Sequence, residues 1–181
     1  MKKTIFLIAI FAITRLADAQ IYLAKKGEVS FFSHTEVSDI EATDTLVKPV
    51  MNTNTGDVIV QVQINGFRFP KKLMEEHFNE NYMESDKIPK ASFTGKINGK
   101  VDYTKDGTTK VTVTGKMDLH GVKKDVTMDG TVTVKGAELI IESKFMVHLA
   151  DYNIKIPSVV SKDLAENVEV KLKSTLVPYK K

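Results

Sequence analysis

The chain reads as an all-β domain, an up-and-down antiparallel barrel or a sandwich of about eight strands with one short helix. Three observations predict this. Apolar and polar side chains alternate with a period of two through most of the chain, turn-forming residues separate the alternating runs, and a single stretch shows helical spacing instead.

The first residues stand apart from that fold. Lys2 and Lys3 form a basic start, an apolar run follows from Thr4 to Thr14, and Ala17-Asp18-Ala19 has the small-x-small pattern of a cleavage site. This predicts a secretory signal peptide over residues 1–19 and a mature domain over 20–181, located in the periplasm or secreted. A membrane anchor fits less well, because the apolar run falls short of the roughly 20 residues that span a bilayer and Arg15 interrupts its end. No later segment is apolar enough to be a transmembrane helix.

Without Lys2, Lys3, Arg15 and Asp18 the formal net charge falls from +3 to +1. With no run of Lys and Arg, the mature chain offers no nucleic-acid surface. The absence of cysteine excludes disulfides, a thiol nucleophile, thiolate metal ligation and a lipoprotein cysteine, so the domain is held by packing alone.

One or two strands are expected before Lys48. Val58, Val60, Val62 and Ile64 then share one face of a strand, and Ala91, Phe93, Gly95, Ile97, Val101 and Tyr103 share the face of the next. Between them, Pro70 opens a helical stretch in which Leu73, Met74, His77, Phe78 and Tyr82 fall on one side. Residues 111–132, VTVTGKMDLHGVKKDVTMDGTV, form a hairpin; pairing its arms about Val122 and Lys123 sets Leu119 opposite Val126, Met117 opposite Met128, Gly115 opposite Gly130 and Val113 opposite Val132. Leu139, Ile141, Phe145, Val147 and Leu149 alternate in the following strand, and Val168, Val170, Leu172 and Leu176 in the last. The stretch between these two reads as a loop with one helical turn. Turn signals sit at Asn54-Thr55-Gly56-Asp57, Lys105-Asp106-Gly107, His120-Gly121 and Lys135-Gly136.

Gly95, Gly115 and Gly130 lie on the inward register of neighbouring strands. A strand glycine costs stability unless it serves a bend, a bulge or a close approach to the backbone. Two readings follow: these glycines bend the sheet toward closure, or they bend it and also clear room for a ligand.

Catalytic motifs are lacking. His34, His77, His120 and His148 are not spaced as metal ligands on one helix or strand, and there is no HExxH, no GxSxG elbow and no phosphate loop. Glu75 and Glu76 read as the solvated side of the short helix, since adjacent helix residues do not face one another. No metal, cofactor or catalytic residue is predicted, and the protein is not expected to be an enzyme. A barrel lined with Val, Ile, Phe, Met and Gly is either filled or encloses an apolar cavity, and the second needs no motif.

The stretches FRFPKKLMEEHFNENYMESDKIPKASFTGKI (67–97) and VTGKMDLHGVKKDVTM (113–128) resemble the YceI-like family of periplasmic, lipocalin-like polyisoprenoid-binding proteins. The resemblance rests on Met74, His77 and Phe78 in the helix, on Pro89, Ala91, Phe93 and Gly95 at the next strand, and on Gly115 to Gly121. It implies an eight-stranded antiparallel lipocalin-like barrel whose tunnel holds an isoprenoid-type lipid, often a quinone, without catalysis.

The family supplies no ligand motif to transfer, so strand register nominates the tunnel lining: Phe31, Val60, Val62, Phe93, Gly95 and Ile97 in the first half. Val113, Gly115, Met117, Met128, Gly130, Val132, Ile141, Phe145 and Leu172 follow in the second. Ordinary core packing explains the same residues equally well. His34, Tyr82 and Tyr152 are candidate headgroup contacts. The opening strands diverge from the family pattern, so ligand length or headgroup is expected to differ. A homodimer is compatible with the chain but no motif specifies one. The rival classes are an envelope interaction module with a filled barrel and a metal-dependent enzyme using His77 with carboxylates.

Overall fold

The computed structural model describes residues 21–157, 162 and 164–179; the expected signal peptide lies outside them. The strands are β1 (Ile21–His34), β2 (Asp39–Asp44), β3 (Val50–Asn52), β4 (Asp57–Gln63), β5 (Lys90–Asn98), β6 (Gly107–Leu119), β7 (Val122–Lys135), β8 (Glu138–His148) and β9 (Asn167–Pro178). One α-helix, α1 (Lys72–His77), runs into a π turn over Phe78–Tyr82. Short 3-10 turns occupy Ile64–Gly66 and Leu149–Tyr152.

The sheet closes on itself. β1 pairs along one edge with β9 and along the other with β2 beyond Val29 and with β3 before Ala24. The ring β1-β3-β4-β5-β6-β7-β8-β9 is thus an eight-stranded antiparallel barrel, with β2 extending the β3 side of β1. Closure pairs the edges that an open sandwich would leave free. A bulge between Ala24 and Lys26 interrupts the β1–β9 seam, and the buried Ser174 hydroxyl donates to the Lys26 carbonyl there at 2.6 Å.

Alternation places the core as the sequence predicts. Val58 and Val60, Phe93 and Ile97, Val111 and Val113, Leu139 and Ile141, and Val168 and Leu176 are all buried. Val101 and Tyr103 do not continue β5; they follow Gly99 (φ 133°) in the loop before β6 and pack against the core from there.

The hairpin register differs from the expected one. His120 and Gly121 adopt φ of 51° and 75°, the paired positive values of a two-residue type I′ turn, and this sets Leu119 opposite Val122. Gly115 therefore faces Val126, Val113 faces Met128 and Gly130 faces Val111. The expected pairs of Gly115 with Gly130 and Met117 with Met128 do not form. Because the displacement is even, every side chain keeps its face.

The helical segment also departs from the expected pattern. Met74, Phe78 and Tyr82 are half-buried, whereas Leu73 is 61% exposed. The α portion is short, and the Met83 amide reaches back to the Phe78 carbonyl at 2.9 Å, a five-residue step. That wider turn rotates the later residues onto the barrel and leaves Leu73 outside.

Candidate functional site

One end of the barrel is open inside. The end of β1, the starts of β5 and β9, the ends of β6 and β8, and the helical segment together surround a cavity of about 460 Å³. Among the described residues its wall contains no aspartate, glutamate, lysine or arginine; the polar members are Ser38, His77, Tyr82 and Ser92.

The cap over this end is aromatic. Phe78 stacks on Phe31 with ring centroids 5.4 Å apart and meets Phe67 at 5.6 Å and Phe69 at 5.1 Å. Phe31 in turn touches Phe67 at 5.3 Å and Phe69 at 5.7 Å. Such tilted and offset contacts add to the apolar burial.

Glu75 ties the helix to the FRFP segment. Its carboxylate accepts from the Arg68 guanidinium and from the Phe69 amide, each at 3.3 Å, while the Asn79 side chain donates to its carbonyl at 2.8 Å. Glu75 is thus a half-buried anchor and not the solvated residue its neighbour Glu76 suggests.

A second buried cluster supports the opposite side of the opening: Ile64, Met83, Val147, Leu149, Tyr152, Ile154 and Val168. His120, at the tip of the β6–β7 hairpin, links three segments there. A carbonyl only accepts, so Nδ1 carries a proton and donates to the Tyr152 carbonyl at 3.1 Å. Nε2 is buried, 3.7 Å from the Glu84 carboxylate, and lacks a hydrogen-bond partner among the described residues. Lys87, and then His120, hold the Glu84 carboxyl below the ordinary carboxylate range. The Ala165 amide donates to the buried Ser33 hydroxyl at 2.9 Å and fastens the returning loop to β1.

Among the nominated residues, Phe31, Val60, Val62, Phe93, Met117, Phe145 and Leu172 are in the cavity wall, as is Tyr82. Ile97, Val113, Met128, Val132 and Ile141 are buried in the filled half of the lumen and are not part of that wall. Gly95, Gly115 and Gly130 are outside it too. A Cβ on Gly115 would collide with the Thr94 carbonyl, one on Gly95 would stand 2.5 Å from the Thr114 carbonyl, and one on Gly130 would stand 2.8 Å from the Glu142 carbonyl. These glycines therefore permit close strand approach.

His34 is exposed and pairs with Asp39 at 2.6 Å, and Tyr152 is buried in the supporting cluster; neither is in the wall. Register reasoning missed Phe67, Phe69, Met74, Phe78 and Met83, which come from outside the regular strands. Their signal was present in the aromatic spacing of FRFP and the helical stretch. Among the described residues no group of three or more histidine, cysteine, aspartate or glutamate side chains is placed to hold a metal.

The YceI-like domain family matches residues 22–176. The chain belongs to the YceI-like family. Solved structures with the same fold include a polyisoprenoid-binding domain from Saccharophagus degradans implicated in plant cell wall breakdown, at 15% identity and a TM-score of 0.74, covering 89% of this chain and 99% of that one. Burkholderia cenocepacia BcnA aligns at 17% identity and a TM-score of 0.70, over 82% of this chain and 95% of its own. The YceI protein of Campylobacter jejuni aligns at 13% identity and 0.55, over 99% and 94%. No curated protein sequence matches this YceI-like chain. These likenesses establish a YceI-like barrel.

Proposed function

We propose that this YceI-like protein binds an isoprenoid-type lipid, a polyisoprenoid or an isoprenoid quinone, in the barrel cavity, and sequesters or carries it without catalysis in the periplasm or outside the cell. The observation that carries this reading is the cavity itself: about 460 Å³ of space whose described wall residues include no Asp, Glu, Lys or Arg, beneath a cap of phenylalanines. At about 30 Å³ per water- or methylene-sized group, that space holds roughly fifteen such groups. Burying them gains on the order of 12 kcal/mol at ~0.8 each, before the costs of association. His77 and Ser38, at the helical cap and beside β2, suit a polar headgroup.

The competing reading, an interaction module with a filled barrel, draws on the half of the lumen in which Met51, Val132, Leu139 and Leu176 are at most 1% exposed. Organic extraction and mass spectrometry of the protein purified from its native source separates the two. A stoichiometric isoprenoid or quinone is the expected result; a clean extract from folded protein favours the interaction module.

A further inference from the structure

We infer that the cavity measures its ligand: it takes an isoprenoid tail of about three isoprene units, and the Phe93 ring is the residue that stops the chain. The inference rests on the lipid-binding reading above and narrows it. On β4, β5 and β9 the cavity wall ends at Val60, Phe93 and Leu172. The next inward positions on those strands are Val58, Gly95 and Ser174, and beyond them the lumen is occupied by Ile97, Val113, Met128, Ile141 and Leu176.

Phe93, like Val29, Val60 and Phe67, both lines the cavity and packs in the buried core. Its ring leans along β5 over Gly95 and over Gly115 opposite: a Cβ on Gly95 would collide with the ring tip, and one on Gly115 would stand 2.8 Å from it. The two glycines therefore seat the ring at the cavity floor. Roughly fifteen methylene-sized groups fit above it, which is three isoprene units. A fourth unit finds no further space above Phe93 and is left at the open mouth, where it gains little burial.

The experiment is a chain-length series. Prenols of two, three, four and eight isoprene units are titrated into the delipidated mature protein, with binding read by calorimetry and native mass spectrometry. Each buried methylene is worth about fourfold in affinity, so affinity should climb steeply from two units to three. Beyond three it should level off, changing less than about threefold. Phe93→Ala removes the floor, and its affinity should continue to climb at four units; Phe93→Leu, a milder change that guards against misfolding, should shift the limit in the same direction. A steady climb to eight units in the wild-type protein overturns the inference and leaves the lipid-binding reading intact. A limit unmoved in folded Phe93→Ala and Phe93→Leu proteins overturns the role of Phe93. If no prenol binds at any length, the lipid-binding reading fails and the inference falls with it.

Discussion

Gly95 and Gly115 face each other across β5 and β6, and the space in front of the pair belongs to the ring of Phe93. Two strands that each lose a side chain at the same level approach closely enough that the Thr94 and Thr114 carbonyls occupy the positions where the Cβ atoms would stand. The glycines thus serve backbone approach first and the ring second.

Alanine at either position is expected to destabilise the barrel by about 1–3 kcal/mol or more, the cost of overpacking a closed core. Urea denaturation measures it. Because backbone oxygens obstruct both sites, adding Phe93→Ala to either variant should restore only part of the loss. Full rescue would mean that the glycines exist for the ring alone.

Phe78 holds the helical cap through contacts with three other phenylalanines. Complete burial of a phenylalanine makes its truncation cost about 3–5 kcal/mol, and half-burial reduces this to about 2–3 for Phe78→Ala. Amide exchange should show lost protection over residues 72–88 while the strands remain protected. Uniform loss would place Phe78 in the global core instead.

Ser174 satisfies the Lys26 carbonyl beside the bulge that interrupts the closing seam. Ser174→Ala leaves that acceptor without the hydroxyl in a buried position, at a cost of about 1–3 kcal/mol. Thermal unfolding of the variant tests this, and Ser174→Thr, which retains the hydroxyl, should recover part of the loss.

Glu84 gives the cap its acid response. The Glu84 carboxyl is held down by Lys87 first and His120 next. A carboxylate lowered on folding contributes stability that is present above its unfolded pKa and is lost as pH falls through the folded one. Exchange protection of residues 78–88 should therefore stay level from neutral pH to about 5 and decline below it. Glu84→Gln should flatten the decline. His120→Asn keeps a residue that tolerates positive φ but loses the bond to the Tyr152 carbonyl, costing about 1 kcal/mol at neutral pH.

The strands, their inward faces and the existence of a helical cap were legible in the chain, because a period of two or of 3.6 is a local property that burial imposes on each segment separately. The Val58–Val62 run and the Leu139–Val147 run needed no knowledge of their neighbours. Motif resemblance added the family. What only the tertiary structure decided is which positions meet. Positive φ at both His120 and Gly121 set the hairpin register, so Gly115 faces Val126 and not Gly130 on the following strand, while the separate β5–β6 ladder sets it opposite Gly95. A π turn decided that Phe78 and Tyr82 face inward while Leu73 does not. Closure through β1 and β9 then divided one continuous apolar lining into a filled half and an open half, according to how side-chain volumes from eight staves sum at each level of the lumen. That sum is non-local: the alternation that marks Val113 as inward marks Met117 in the same way, and only the assembled barrel places one in the core and the other in the cavity wall.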